Sequence, residues 1–149
     1  MQLLLSMALC AMTLLLTTAF HFEVLRYLSS FTTPAMIIRR HRVPVILLVL
    51  VTAHIFEIII YALVYALAAG PLALGNFSGV ETMSPIDYFY FAAETYSTLG
   101  YGDIVPLGEL RLIASIGPLN GILLMAWSGS FLFSVVQHSI VPRPNDAGR

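Results

Sequence analysis

Charge is what this chain has least of. Only 10% of its 149 residues are Asp, Glu, Lys or Arg, and the signs nearly cancel to a formal net charge of -1. So few scattered cations cannot form the basic patch that grips a phosphate backbone, and no nucleic-acid partner is expected. Cysteine is almost absent as well. The single Cys10 permits no internal disulfide, and its place inside an apolar run says nothing about compartment. Outside one glycine-rich stretch, no nucleophile–base pair and no cluster with metal-ligand spacing is visible, so neither an enzyme nor a bound cofactor is expected. What remains is apolar. Hydrophobic residues make up 58% of the chain, in long runs, with a mean hydropathy of +0.87. That balance excludes a soluble domain and implies an all-α, multi-pass membrane protein.

The first run, Leu3 to about Phe22, is long enough to span a bilayer, which takes roughly 20 helical residues. A cleaved signal peptide is the competing reading. No Lys or Arg precedes the run, and only Thr17-Thr18-Ala19 resembles a cleavage site, so a retained helix within residues 1–30 is expected. A connector, 31–42, follows. It holds Pro34 and the densest positive cluster, Arg39-Arg40-His41-Arg42, with Arg26 just before it. The positive-inside rule makes this connector cytoplasmic and puts the N-terminus outside. The next run, 43–69, then crosses outward, with Pro44 in its first turn and Gly70-Pro71 ending it.

Gly70 to Met83 reads as a small exposed loop. Its Asn76-Phe77-Ser78 fits a glycosylation sequon, a match common by chance. Ser84-Pro85-Ile86-Asp87 is an acidic variant of the capping box and starts a helix over 84–97, too short to cross a membrane. A half-length helix followed by Gly-rich backbone at membrane depth is tolerated only when buried in protein or lining a watery cavity, which describes a re-entrant loop. A last helix, 109–140, returns inward. It ends at Pro142-Arg143-Pro144 in a short cytoplasmic tail, 142–149, that also holds Arg149.

Between the short helix and the last one lies Thr98-Leu99-Gly100-Tyr101-Gly102-Asp103. Its alternating glycines let successive residues take left- and right-handed conformations, turning the carbonyls to one side. Ser97 to Asp103 resembles the selectivity filter of the potassium channel family, and the similarity extends over about Ser84 to Val136. The resemblance implies a homotetrameric pore domain within 43–141: outer helix 43–69, re-entrant pore helix 84–97, filter 98–103 and inner helix 109–140, preceded by one extra helix. It implies passive, selective conduction of K+, coordinated by the carbonyls of Thr98, Leu99, Gly100 and Tyr101, with the Thr98 hydroxyl at the innermost site. Gly102 would supply the turn to the mouth, and Asp103 would face it. Glu94 is similar to the carboxylate that pairs with the filter aspartate in some bacterial members, one proton being shared between them.

Three features depart from the family pattern. Leu99 stands where valine or isoleucine is usual, and Tyr90 and Phe91 stand where tryptophans often brace the filter. The inner helix fits only with a one-residue deletion near Leu107-Gly108. With it, Gly121 falls on the gating hinge, together with Gly117 and the kink expected at Pro118. On spacing alone Gly117-x-x-x-Gly121 reads equally as close helix packing. Asn120 is either pore-lining or a helix–helix hydrogen bond. His54 and Glu57 lie on one face, near mid-bilayer, as a proton-sensitive gate or a neutral structural pair. No segment carries arginines at every third position, so no voltage sensor of the usual kind is expected, and only about ten residues follow the last helix. The alternatives on this reading are a weakly selective cation channel on the same scaffold, a potassium-uptake transporter subunit, or a non-conducting accessory protein.

Overall fold

The computed structural model describes residues 1–31 and 42–140. Pro34, the Arg39-Arg40-His41 cluster and the tail with Arg143 and Arg149 therefore lie outside the described residues. The elements are α1 (Gln2–Phe31), α2 (Arg42–Ala69), β1 (Phe77–Ser78), α3 (Pro85–Tyr96), β2 (Val105–Pro106) and α4 (Leu110–Ile140). Three stretches, Gln2–Ser30, Val43–Ala69 and Leu110–Gln137, are long and apolar enough to cross a membrane. α1 packs on both α2 and α4, and α3 is held against α2 and α4.

Burial in this bundle is inverted relative to a soluble protein. Leu4, Leu15, Leu48, Leu63 and Leu123 face outward, while Ser6, Thr13, Thr17, His21, Glu57, Asn120 and Ser128 are buried. Lipid tails are as apolar as leucine, so nothing drives those leucines inward, whereas polar groups gain by meeting one another between helices. The Thr13 and Thr17 hydroxyls donate to the carbonyls of Leu9 and Thr13, at 2.7 and 2.8 Å, so neither is left bare.

One end of the bundle is filled with aromatic rings. Phe91 meets Tyr65 and Phe77 edge-on, each at a centroid distance of 4.9 Å, above Leu110 and Ile113. Leu25, Leu28, Ile46, Leu50 and Val135 form a smaller cluster at the other end.

The start of α3 follows from its cap. Ser84 accepts the Asp87 N–H, and the Asp87 carboxylate accepts the Ser84 N–H at 2.8 Å, while Pro85 occupies a first-turn position that needs no N–H. The loop before α3 is more ordered than the sequence suggests. β1 pairs antiparallel with β2, Phe77 opposite Pro106 and Ser78 opposite Val105. Leu107 N–H donates to Asn76 O and Glu109 N–H to Leu74 O, both at 2.8 Å. A Cβ at Gly79 would lie 1.8 Å from the Asp103 carbonyl oxygen, so only glycine lets the loop approach the glycine-rich strand this closely. The same end of the bundle holds the start of α1, where Gln2 reaches Ala73 O.

Candidate functional site

The backbone from Thr98 to Asp103 alternates in hand as its glycines suggest. Thr98, Gly100 and Gly102 have φ of +63°, +56° and +79°. Thr98 is the costly member, because a β-branched residue in the left-handed region loses ~1–2 kcal/mol that glycine does not. A Cβ at Gly100 or Gly102 would meet nothing within 4 Å, so conformation and not space calls for glycine there.

What holds this backbone is a single residue. Leu99 N–H and Gly100 N–H both donate to the Glu94 carbonyl, at 2.8 and 3.2 Å, and Tyr101 N–H donates to Glu94 Oε2 at 3.0 Å. Three consecutive amides thus end on Glu94, at the last turn of α3. Among the described residues, no hydrogen bond uses the carbonyls of Thr98, Leu99, Gly100 or Tyr101. With its donors tied back and its acceptors free, the strand presents a row of oxygens. Leu99 and Tyr101 remain 58% and 66% exposed in the single chain.

Glu94 and Asp103 accept from different donors. Glu94 takes the Tyr101 amide, whereas Asp103 Oδ2 accepts from the Tyr90 hydroxyl at 2.9 Å and Oδ1 from the Ile104 N–H at 3.1 Å. Burial pushes the Glu94 carboxyl above the usual range, the Asp103 charge adds to this, and the Tyr101 amide opposes it. The carboxylate of Asp103 pushes the Tyr90 phenol up to about 12. Tyr90 also stacks on Tyr101, with planes 2° apart and centroids 6.2 Å apart. Phe91, without a polar handle, is buried in the aromatic cluster.

The residues placed at a hinge sit at packing contacts. A Cβ at Gly121 would fall 2.1 Å from the Tyr96 carbonyl oxygen, and one at Gly117 would lie 3.4 Å from the Tyr61 ring and from the Tyr65 hydroxyl. Pro118 lies inside α4. Asn120 is buried and donates to Thr17 Oγ1 at 2.7 Å and to the Tyr61 hydroxyl at 3.1 Å, so of its two readings the structure takes the helix–helix bond.

His54 and Glu57 are not an isolated pair. Glu57 is fully buried, with His21 Nδ1 2.7 Å from Oε1, His54 Nδ1 2.8 Å from Oε2, and the Tyr96 hydroxyl donating to Oε2. Ser128 Oγ lies 3.1 and 3.2 Å from the Nε2 atoms of His54 and His21. The sequence reading missed His21, Tyr96 and Ser128. A signal existed in α1, where Ser6, Cys10, Thr13, Thr17 and His21 fall at helical spacing on one face of an otherwise apolar run.

A protein-family model described as "Ion channel" matches residues 45–138, well over half of the chain, a stretch that begins after α1. The two-pore potassium channel 4 of Arabidopsis thaliana is 51% identical over 41 residues, which is 28% of this chain and 14% of that protein. The shared stretch is thus a small part of that relative. No solved structure matches. With the family match running from α2 through the glycine-rich strand into the last turns of α4, the chain belongs to the ion channel family.

Proposed function

We propose that this channel conducts K+ passively and selectively as a homotetramer, each chain lending one strand to a central pathway. The observation that carries this reading is the division of labour in residues 98–101. The amides of Leu99, Gly100 and Tyr101 are tied to Glu94, and the carbonyls of Thr98 to Tyr101 have no hydrogen-bond partner among the described residues. Four such strands around an axis make stacked oxygen rings that replace the hydration shell of a cation. In this reading Thr98, Leu99, Gly100 and Tyr101 bind K+, with the Thr98 hydroxyl at the innermost site. Gly102 turns the chain to the mouth, and Glu94 and Asp103 hold the strand from behind. The exposure of Leu99 and Tyr101 supports a neighbouring subunit as their cover. The name of the plant relative supports potassium as the ion.

The mouth faces outward, with the N-terminus outside and the C-terminus in the cytoplasm. Support for this orientation comes from the arginine distribution of the sequence. Gly117, Pro118 and Gly121 are the movable part of the inner helix, α4.

Flux from liposomes under a potassium or a sodium gradient tests the reading. Potassium flux should far exceed sodium flux, and native mass measurement in nanodiscs should give four chains. Gly100→Ala and Gly102→Ala should each abolish the preference while the protein still inserts, because the added Cβ opposes positive φ. Equal fluxes in the wild type, or unchanged selectivity in both variants, would sink it.

A further inference from the structure

The buried cluster between α1, α2 and α4 is absorbed by no step of conduction. From the arrangement of His21, His54 and Glu57 we infer a binding site for a divalent transition metal of the zinc class. The inference stands apart from the potassium reading, since none of these residues belongs to the glycine-rich strand.

Donor convergence is the first argument. One ligand atom from each of the three residues lies within 4.8 Å of the other two, and all three residues are buried or nearly so. Two imidazoles and one carboxylate form a donor set that suits Zn2+, Co2+ or Ni2+. Potassium, magnesium and calcium, which prefer oxygen, find only one carboxylate here. A tetrahedral zinc with bonds of about 2.0–2.1 Å holds its ligand atoms ~3.3 Å apart. The His21 Nδ1–Glu57 Oε1 spacing of 2.7 Å needs to open by only roughly half an ångström, and the remaining ligand spacings, all within 4.8 Å, need to close by at most about 1.5 Å.

The outer contacts are those of ligands already held in place. Both rings turn Nδ1 toward Glu57 and Nε2 toward the same Ser128 Oγ. Metal-bound imidazoles commonly donate their second N–H to such an oxygen, which fixes tautomer and ring angle. Glu57 offers Oε1 to the site, while Oε2 is steadied by the Tyr96 hydroxyl.

The same contacts accommodate an ion: with both Nδ1 lone pairs on the metal, both Nε2–H groups can donate to Ser128 Oγ, and the Ser128 hydroxyl can turn to a carbonyl of its own helix. The ionised Glu57 offsets part of the ion's charge in the dry bundle. A bound ion would clamp α1 to α2 behind Tyr96, two residues before Thr98.

The test uses the full chain, stripped with a chelator and held in nanodiscs. Titration with Co2+ should raise visible absorption bands of tetrahedral intensity that saturate at one ion per chain and are erased by Zn2+. His21→Gln and Glu57→Gln should abolish the bands. Ser128→Ala, which keeps all three ligands, should weaken binding by ~10–100-fold. Should either ligand variant fail to assemble, the wild-type spectrum and the Ser128→Ala affinity decide alone. A wild type that takes up no Co2+ or Zn2+ would overturn the inference. So would bands of unchanged strength in His21→Gln and Glu57→Gln.

Discussion

Tyr90 and Asp103 are joined at the end of the glycine-rich strand: the phenol donates to Oδ2 at 2.9 Å, and its ring lies parallel to that of Tyr101. One side chain thus fixes both the residue that ends the strand and the residue whose carbonyl lies just inside it. The contact needs the phenol protonated and the carboxylate ionised. With the Tyr90 pKa pushed up to about 12, the donor survives across the physiological range, and its contribution is lost only as pH rises through that value.

Tyr90→Phe should therefore keep the stacked ring and lose the tether. The expected outcome is faster current decay in sustained recordings, with insertion and subunit number unchanged. Asp103→Asn should reproduce much of it, and the double variant should add little, because the two changes remove one interaction. Additive effects of the two single changes on the decay rate would show that the Tyr90 hydroxyl acts on a group other than Asp103, and no effect of Tyr90→Phe would show that Tyr90 acts through its ring alone.

Glu94 allows a test that separates its charge from its hydrogen bond. Burial and the Asp103 charge raise its pKa, so the ionised form is disfavoured in the fold. By linkage, the stability tied to this group is greatest below the unfolded carboxyl value and is lost as pH rises through the raised folded value. Glu94→Gln should thus leave thermal stability at neutral pH equal or higher, since the amide oxygen can still accept the Tyr101 N–H. Glu94→Ala removes the acceptor and should lower stability and speed current decay. External acid should alter the wild-type decay at a pH above the ordinary carboxylate range, and Glu94→Gln should lack that response. A full acid response in Glu94→Gln would assign it to another group.

How much of this could be read in the sequence depends on whether the determinant was local. The cap from Ser84 to Asp87 is four residues long, and the alternation through Gly100 and Gly102 is a property of consecutive backbone, so both were legible. The bond from the Tyr101 amide to the Glu94 carboxylate joins residues seven apart across a helix end, which no local pattern announces. His21 and Glu57 are separated by 36 residues and meet only because α1 folds back on α2. Likewise the β1–β2 pairing rests on two-residue strands too short to carry any period.

Gly121 distinguishes packing from hinging. A Cβ there would lie 2.1 Å from the Tyr96 carbonyl oxygen, whereas one at Gly129, two turns on, would meet nothing within 4 Å. Gly121→Ala should force α4 away from the end of α3 at a cost of ~1–3 kcal/mol, typical of overpacking. Gly129→Ala should be near neutral. Thermal unfolding in detergent, followed by tryptophan fluorescence from Trp127, reads both. Equal melting temperatures for Gly121→Ala and the wild type would mean that α4 is free to shift at this point.

The tie between α1 and the rest of the bundle can be measured through Asn120. Its amide reaches Thr17 on α1 and Tyr61 on α2, so one side chain on α4 joins three helices. Interhelical hydrogen bonds in membranes are modest, averaging ~0.6 kcal/mol with a maximum near 1.7, because the unfolded chain in lipid also finds partners. Asn120→Ala removes both bonds and should cost more than Thr17→Val, which removes one. In the double-mutant cycle of Asn120→Ala with Thr17→Val, a coupling of about 0.6 kcal/mol is expected. Tyr61→Phe should give a smaller coupling, as its contact is longer at 3.1 Å against 2.7 Å. Zero coupling between Asn120 and Thr17 would mean that α1 is held by its other contacts and that Asn120 serves α2.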